Sequence, residues 1–104
     1  TGQDLGMVGT SSMCHGAARR VEDGLQVSIR LPGLEVATLG GGTTLPYAHR
    51  WLEVVGCAGG GKIYRFAQIV AAATLALEIS ASAAMATAGS AEFFRAHHER
   101  GGLR

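Results

Sequence analysis

More than a third of this chain, from Ile63 to about Arg100, carries a single helical pattern, and that pattern limits what the rest can fold into. Phe66, Val70, Ala73, Leu77, Ala81 and Ala84 recur on one helical face, with alanine filling much of the remainder. Small side chains let neighbouring elements approach closely. The stretch Phe66 to Leu77 is apolar nearly all round, but Glu78 and several serines follow before a bilayer-spanning length is reached, so a buried helix is expected and not a membrane span. Gly89 is placed to divide this segment into two helices, and Gly101-Gly102 to end the second.

Such a helix needs other elements to cover it. At 104 residues the chain is one domain at most. Its 47% hydrophobic content fits a folded protein, whereas its 16% charged content falls below the usual proportion of about a quarter. A surface so poor in charge suits a protein with partners. The net charge of +1, with no basic stripe, excludes a nucleic-acid footprint. Cys14 and Cys57 lie far apart with no CxxC spacing, which argues against a disulfide framework and a zinc site and for a reducing compartment. The opening Thr1-Gly2-Gln3-Asp4 has no signal-peptide character, and with no initiating Met the chain is expected to be a piece of something longer.

Ahead of the helical half, Leu25 to Leu31 alternates apolar and polar residues as a half-buried strand does, and Pro32-Gly33 breaks it. Leu34 to Leu39 is expected to pair with it as the second strand of a hairpin. The polar segment Gly16 to Gly24 reads as a solvated loop or frayed helix end. After Thr43, Leu45 to Gly56 has Pro near its start and Gly past its end, and Ala48, Leu52 and Val55 share a face, so a short amphipathic helix is expected. His49 is expected at the surface and Trp51 in a core or interface.

Several places carry residues suited to chemistry. Asp4 heads a run of small and apolar residues, which makes it an N-cap or, alternatively, a carboxylate poised for proton transfer. Gly40-Gly41-Gly42 marks a turn whose bare N–H groups could approach a ligand. Gly56 to Ile63 nearly spells the phosphate-binding loop GxxxxGK[ST], but Ile63 stands where a magnesium-binding hydroxyl is required, and a helix precedes it where that motif needs a strand. A glycine-rich connection between helices is expected instead. His97 and His98 are adjacent, so on a helix they point about 100° apart and do not form a ligand pair for a metal. Each suits a helix C-terminus or, alternatively, a general acid.

The order of these features is more specific than any one of them. Gly2-Gln3-Asp4, then Ser11-Ser12-Met13-Cys14, then Leu31-Pro32-Gly33-Leu34-Glu35-Val36-Ala37-Thr38-Leu39-Gly40-Gly41-Gly42-Thr43, then Glu78-Ile79-Ser80 and Arg95-Ala96-His97 resemble the C-terminal part of hydroxymethylglutaryl-coenzyme A reductase. The resemblance covers nearly the whole chain. It implies an α+β fold, with residues 1–104 forming a C-terminal fragment of the large substrate-binding part of the catalytic domain, built from a β-hairpin and Ala-rich helices. It further implies four-electron reduction of the thioester hydroxymethylglutaryl-coenzyme A to mevalonate and free coenzyme A by NADPH, with NADH the alternative.

On this resemblance Asp4 belongs to a hydrogen-bonded group with a glutamate and a lysine at the substrate carbonyl, and His97 protonates the departing thiolate, with His98 its rival. Gly40, Gly41, Gly42 and Thr43 would contact the cofactor, and Ala81, Ala84 and Met85 the apolar side of the substrate pocket. No metal is implied. The family's active site forms between subunits of a homo-oligomer, and a soluble cytoplasmic enzyme is expected, although some members carry a membrane anchor far upstream. No nucleic-acid or membrane contact is implied for this region.

The chain also departs from the animal-type pattern. Met7-Val8 replaces a Gln-Asn pair, Ala37 replaces a glycine, and the span from Glu78 to His97 is longer by about one helical turn. Leu103 stands where those forms carry a regulatory serine. The lysine, the glutamate and the nicotinamide-binding motif of the family have no counterpart in these residues, so this chain alone is expected to be inactive. The competing expectation is a degenerate relative that serves as an oligomerisation or binding module.

Overall fold

A computed structural model describes residues 4–100. Gly2-Gln3, the Gly101-Gly102 stop and Leu103 lie outside the described residues. In chain order the elements are α1 (Leu5–Ser11), β1 (His15–Val21), β2 (Gly24–Arg30), a 3-10 helix (Gly41–Thr44), α2 (Pro46–Val54), α3 (Ile63–Ala88) and α4 (Ser90–Arg100). The fold is α+β, a two-stranded antiparallel hairpin with helices.

The hairpin uses different partners from those expected. Leu25 to Leu31 does supply a strand, but it pairs with His15–Val21 and not with Leu34 to Leu39. Glu22-Asp23 makes the tight turn, with Val21 opposite Gly24 and His15 opposite Arg30. Two residues between strands suffice for a hairpin, so the polar segment read as a loop closes locally and leaves the Pro32-Gly33 turn free for another role. Register puts Gly16, Ala18, Leu25, Val27 and Ile29 on one face. That face meets Ile79, Ala83 and Ala86 of α3 across an open groove of about 660 Å³.

Leu34 to Ala37 is irregular. Pro46 starts α2 and Gly56, with φ +68°, follows its end. Ala48 and Leu52 of α2 are buried together with Cys57, Thr38 and Thr43, and these residues form the small core. The Gly59 N–H donates to the Thr38 carbonyl at 2.8 Å, tying the loop after α2 to the segment before the glycine turn. Trp51, expected in a core or interface, lies outside this core at 68% exposure, and His49 is exposed 3.5 Å from Glu53 one turn on.

α3 is one continuous helix of 26 residues. By length and composition alone it could cross a membrane, a test that core helices of soluble proteins also pass. The expected burial is not found, because no α3 residue is buried among the described residues. Leu77 is 70% exposed, and the half-buried side runs through Phe66, Val70 and Thr74 toward Ala81 and Met85. The hairpin meets α3 on a different side, at Ile79, Ala83 and Ala86, without burying it. Gly89 divides α3 from α4 as expected, at φ +85°, where a Cβ would be strained.

Candidate active site

The residues singled out above fall in three places, two of them along α3 and one beside α2. At the first, Asp4 caps α1 from an extended backbone, and its Oδ1 accepts the Met7 N–H at 2.9 Å. A Cβ at position 6 would lie 3.2 Å from that oxygen, so Gly6 leaves room for the carboxylate over the first turn. The side chain is exposed, which leaves its second oxygen open to another partner.

The far end of α1 is fastened to the signature segment. The Ser11 hydroxyl donates to the Glu35 carbonyl at 3.2 Å and accepts the Glu35 N–H at 2.9 Å. Beside it, a Cβ at Gly33 would sit 2.7 Å from the Thr10 carbonyl oxygen. The turn at Pro32-Gly33 therefore presses backbone against backbone. Val8, Ser11 and Leu34 then face Phe66, Val70 and Thr74 of α3 across a cleft of about 450 Å³.

The second place is the glycine turn. Gly40 and Gly41 have φ of +76° and +50°, which only glycine adopts without strain. The Thr43 hydroxyl donates to the Gly40 carbonyl at 2.6 Å and the Thr44 hydroxyl to the Gly41 carbonyl at 2.8 Å, so the two threonines set the shape of the turn. Thr43 itself is buried. As the first residues of a 3-10 helix, Gly41 and Gly42 have N–H groups with no intrahelical acceptor. Nothing lies within 4 Å of where a Cβ at Gly40 or Gly41 would stand, so the turn offers bare backbone to open space.

The third place is a crevice of about 320 Å³ between α3 and α4. Ser80, Ala84 and Ala88, one helical turn apart, form one wall, and Glu92, Phe93, Ala96 and His97 form the other. The His97 ring lies 5.0 Å from the Phe93 ring at a tilt of 33°. His98 does not line the crevice. Of the three apolar positions singled out in the sequence, Ala84 shares the crevice with His97, whereas Ala81 and Met85 belong to the neighbouring half-buried stripe of α3. Ser80 and Glu92 also line it and were not singled out. Ser80 ends the Glu78-Ile79-Ser80 run four residues before Ala84, a spacing that could have identified it. Glu92 pairs with Arg95 on the same helix.

Asp4 and His97 are not brought together within one chain. The α1 cleft reaches α3 at Phe66, Val70 and Thr74, and the His97 crevice reaches it at Ser80, Ala84 and Ala88. Among the described residues no group of three or more His, Cys, Asp or Glu side chains could hold a metal ion.

Comparison with known proteins agrees with the motif order. The family model for hydroxymethylglutaryl-coenzyme A reductase matches residues 1–101. A 3-hydroxy-3-methylglutaryl-coenzyme A reductase of Methanocaldococcus jannaschii is 39% identical over 101 residues, covering 97% of this chain and 24% of the relative. The enzyme of that name from Aeropyrum pernix is 40% identical, covering 100% of this chain and 26% of its own length. The Fusarium fujikuroi enzyme is 38% identical, with 93% of this chain and 10% of the relative covered. No solved structure matches. The chain thus spans about a quarter of its archaeal relatives and about a tenth of this fungal one. With the family model matched along nearly all of its length and the signature residues in order, the chain belongs to the hydroxymethylglutaryl-coenzyme A reductase family.

Proposed function

We propose that residues 1–104 are a C-terminal part of the substrate-binding domain of a cytoplasmic reductase that converts hydroxymethylglutaryl-coenzyme A to mevalonate and free coenzyme A, with NADPH as reductant and NADH the alternative. The reaction adds hydride to the thioester carbonyl to give a hemithioacetal. The C–S bond then breaks, sulfur leaves with the electron pair, and the carbon-bound hydroxyl gives up its proton as the aldehyde forms. A second hydride and a proton complete the alcohol. The nicotinamide cofactor, when bound, supplies both hydrides.

The observation that carries this reading is the meeting of His97 with Ser80 and Ala84 in one crevice, although α3 and α4 place them more than ten residues apart in sequence. An imidazole N–H there donates a proton to the departing sulfur, and the small walls of the crevice leave space for a thiol-bearing chain beside it. His98 lies off the crevice, which supports His97 over its rival as the acid. Ala84 bounds the apolar end of the substrate, with Ala81 and Met85 supporting it from the adjacent stripe.

Asp4, held at one oxygen by the Met7 N–H, keeps its other oxygen for a lysine and glutamate contributed from outside this chain. In that group it holds a proton near the substrate carbonyl oxygen. Gly40 and Gly41 fit the cofactor because their backbone is bare and faces open space, which suits a carboxamide or phosphate oxygen, and Gly42 adds an N–H with no intrahelical acceptor. Thr43 contributes by fixing the turn. Because Asp4 caps the helix that meets α3 at Phe66, Val70 and Thr74, whereas His97 lines the crevice at Ser80, Ala84 and Ala88, the working site is completed by a second copy of the protein.

The test is NADPH absorbance decay with hydroxymethylglutaryl-coenzyme A, using the full-length polypeptide. Asp4→Asn and His97→Gln are expected to abolish most turnover with helix content unchanged, and the 104-residue chain alone to show none. Unchanged turnover in both variants would move the assignment to a non-catalytic oligomerisation or binding module.

A further inference from the structure

The imidazole of a general acid has to be aimed, and a hydrogen bond to its second nitrogen commonly does this. His97 makes no such bond among the described residues. What it does have is Phe93, one helical turn earlier, whose ring centroid lies 5.0 Å away at a tilt of 33°. Phe93 is itself held. It is half-buried, lines the same crevice as Ser80 and Ala84, and meets the Phe94 ring edge-on at 5.4 Å and 76°. A half-buried ring stacked against an exposed one restricts the exposed one, since the pair keeps its contact in only part of the imidazole's rotamer range.

We propose that Phe93 is the positioning residue for His97, its ring holding the imidazole at the crevice wall where the sulfur departs. This rests on the assignment of His97 as the acid. Phe93 lies in the crevice against His97 and away from the glycine turn, so its effect is confined to the step in which the thiolate is protonated. Misplacing a catalytic group by about 1 Å can cost up to about 100-fold in rate.

The experiment uses the full-length reductase with Phe93→Leu, Phe93→Tyr and His97→Gln. Each is assayed with the thioester and, separately, with the free aldehyde, whose reduction involves no C–S cleavage. Leucine fills most of the crevice volume without an aromatic face, so folding is retained. Phe93→Leu is expected to lower kcat on the thioester about tenfold or more, leave KM within about twofold and leave aldehyde reduction at the parent rate, while Phe93→Tyr recovers thioester turnover. Parent-level thioester turnover in Phe93→Leu, or equal losses on both substrates, would overturn the proposal. Should His97→Gln also reduce the thioester at the parent rate, the assignment of the acid itself fails and takes the positioning role with it. A selective thioester defect in His97→Gln beside a normal Phe93→Leu rejects Phe93 alone.

Discussion

Ser11 and Glu35 hold each other in both directions, one hydroxyl giving a hydrogen bond to the Glu35 carbonyl and receiving one from its N–H. This single side chain anchors the helix that Asp4 caps to the signature segment that leads into the glycine turn. Ser11→Ala removes both bonds and is expected to destabilise this region by about 1–2 kcal/mol. Hydrogen exchange reads it directly, as faster exchange of the Glu35 amide.

Gly33→Ala tests the same junction sterically. Its Cβ would meet the Thr10 carbonyl oxygen at 2.7 Å and the Thr10 methyl carbon at 3.2 Å, and backbone cannot rotate away as a side chain can. A cost of about 1–3 kcal/mol is expected, seen as a lower denaturant midpoint with an unchanged slope.

Asp4 has a capping role separable from any chemical one. Asp4→Ala should lose about 1 kcal/mol of α1 stability, and Asp4→Asn, which caps as well, should lose little. Turnover of the full-length enzyme should fall in both. Activity that followed stability, low in Ala and normal in Asn, would show a cap and nothing more.

Leu52 is 1% exposed at the centre of the small core. Leu52→Ala is expected to cost about 2–4 kcal/mol. Because Thr43 and Thr38 pack in that core, the loss should loosen the glycine turn. Cofactor affinity in the full-length protein, measured by titration, is expected to weaken together with thermal stability.

The two cysteines should react in a fixed order. Cys57 is fully buried in that core and Cys14 half-buried between α1 and β1, so a thiol reagent should modify Cys14 first in the folded protein and both at similar rates in denaturant. Mass spectrometry of digests taken over time reads the order.

Much of this was legible in the residues because its causes are local. The Asp4 cap, the Pro46 start of α2, the division at Gly89 and the strand nature of Leu25 to Leu31 each follow from a residue's own backbone preference or period. The strand partner was not, because Leu25 to Leu31 is flanked by two-residue loops on both sides, Glu22-Asp23 and Pro32-Gly33, and loop length does not choose between them. Leu77 shares the face of Phe66 and Val70 by spacing, but spacing cannot say how far along a helix that face is covered. Among site residues, the motif order gave Asp4, the glycines and His97 without their geometry. Ser80 and Phe93 came from the crevice, since only the return of α4 onto α3 puts them beside the imidazole.

α3 also sets spacing. Its 26 residues rise about 39 Å, close to the longest dimension of the described chain at 44 Å. The cleft by α1 and the crevice by α4 are two marks on one rigid ruler, and their phase is fixed by the count of residues between Thr74 and Ser80. One residue inserted there would turn the second mark by about 100° against the first, whereas four would nearly restore the phase and add about 6 Å of distance. Sequence change along this stretch is therefore free to alter side chains far more readily than it is to alter length.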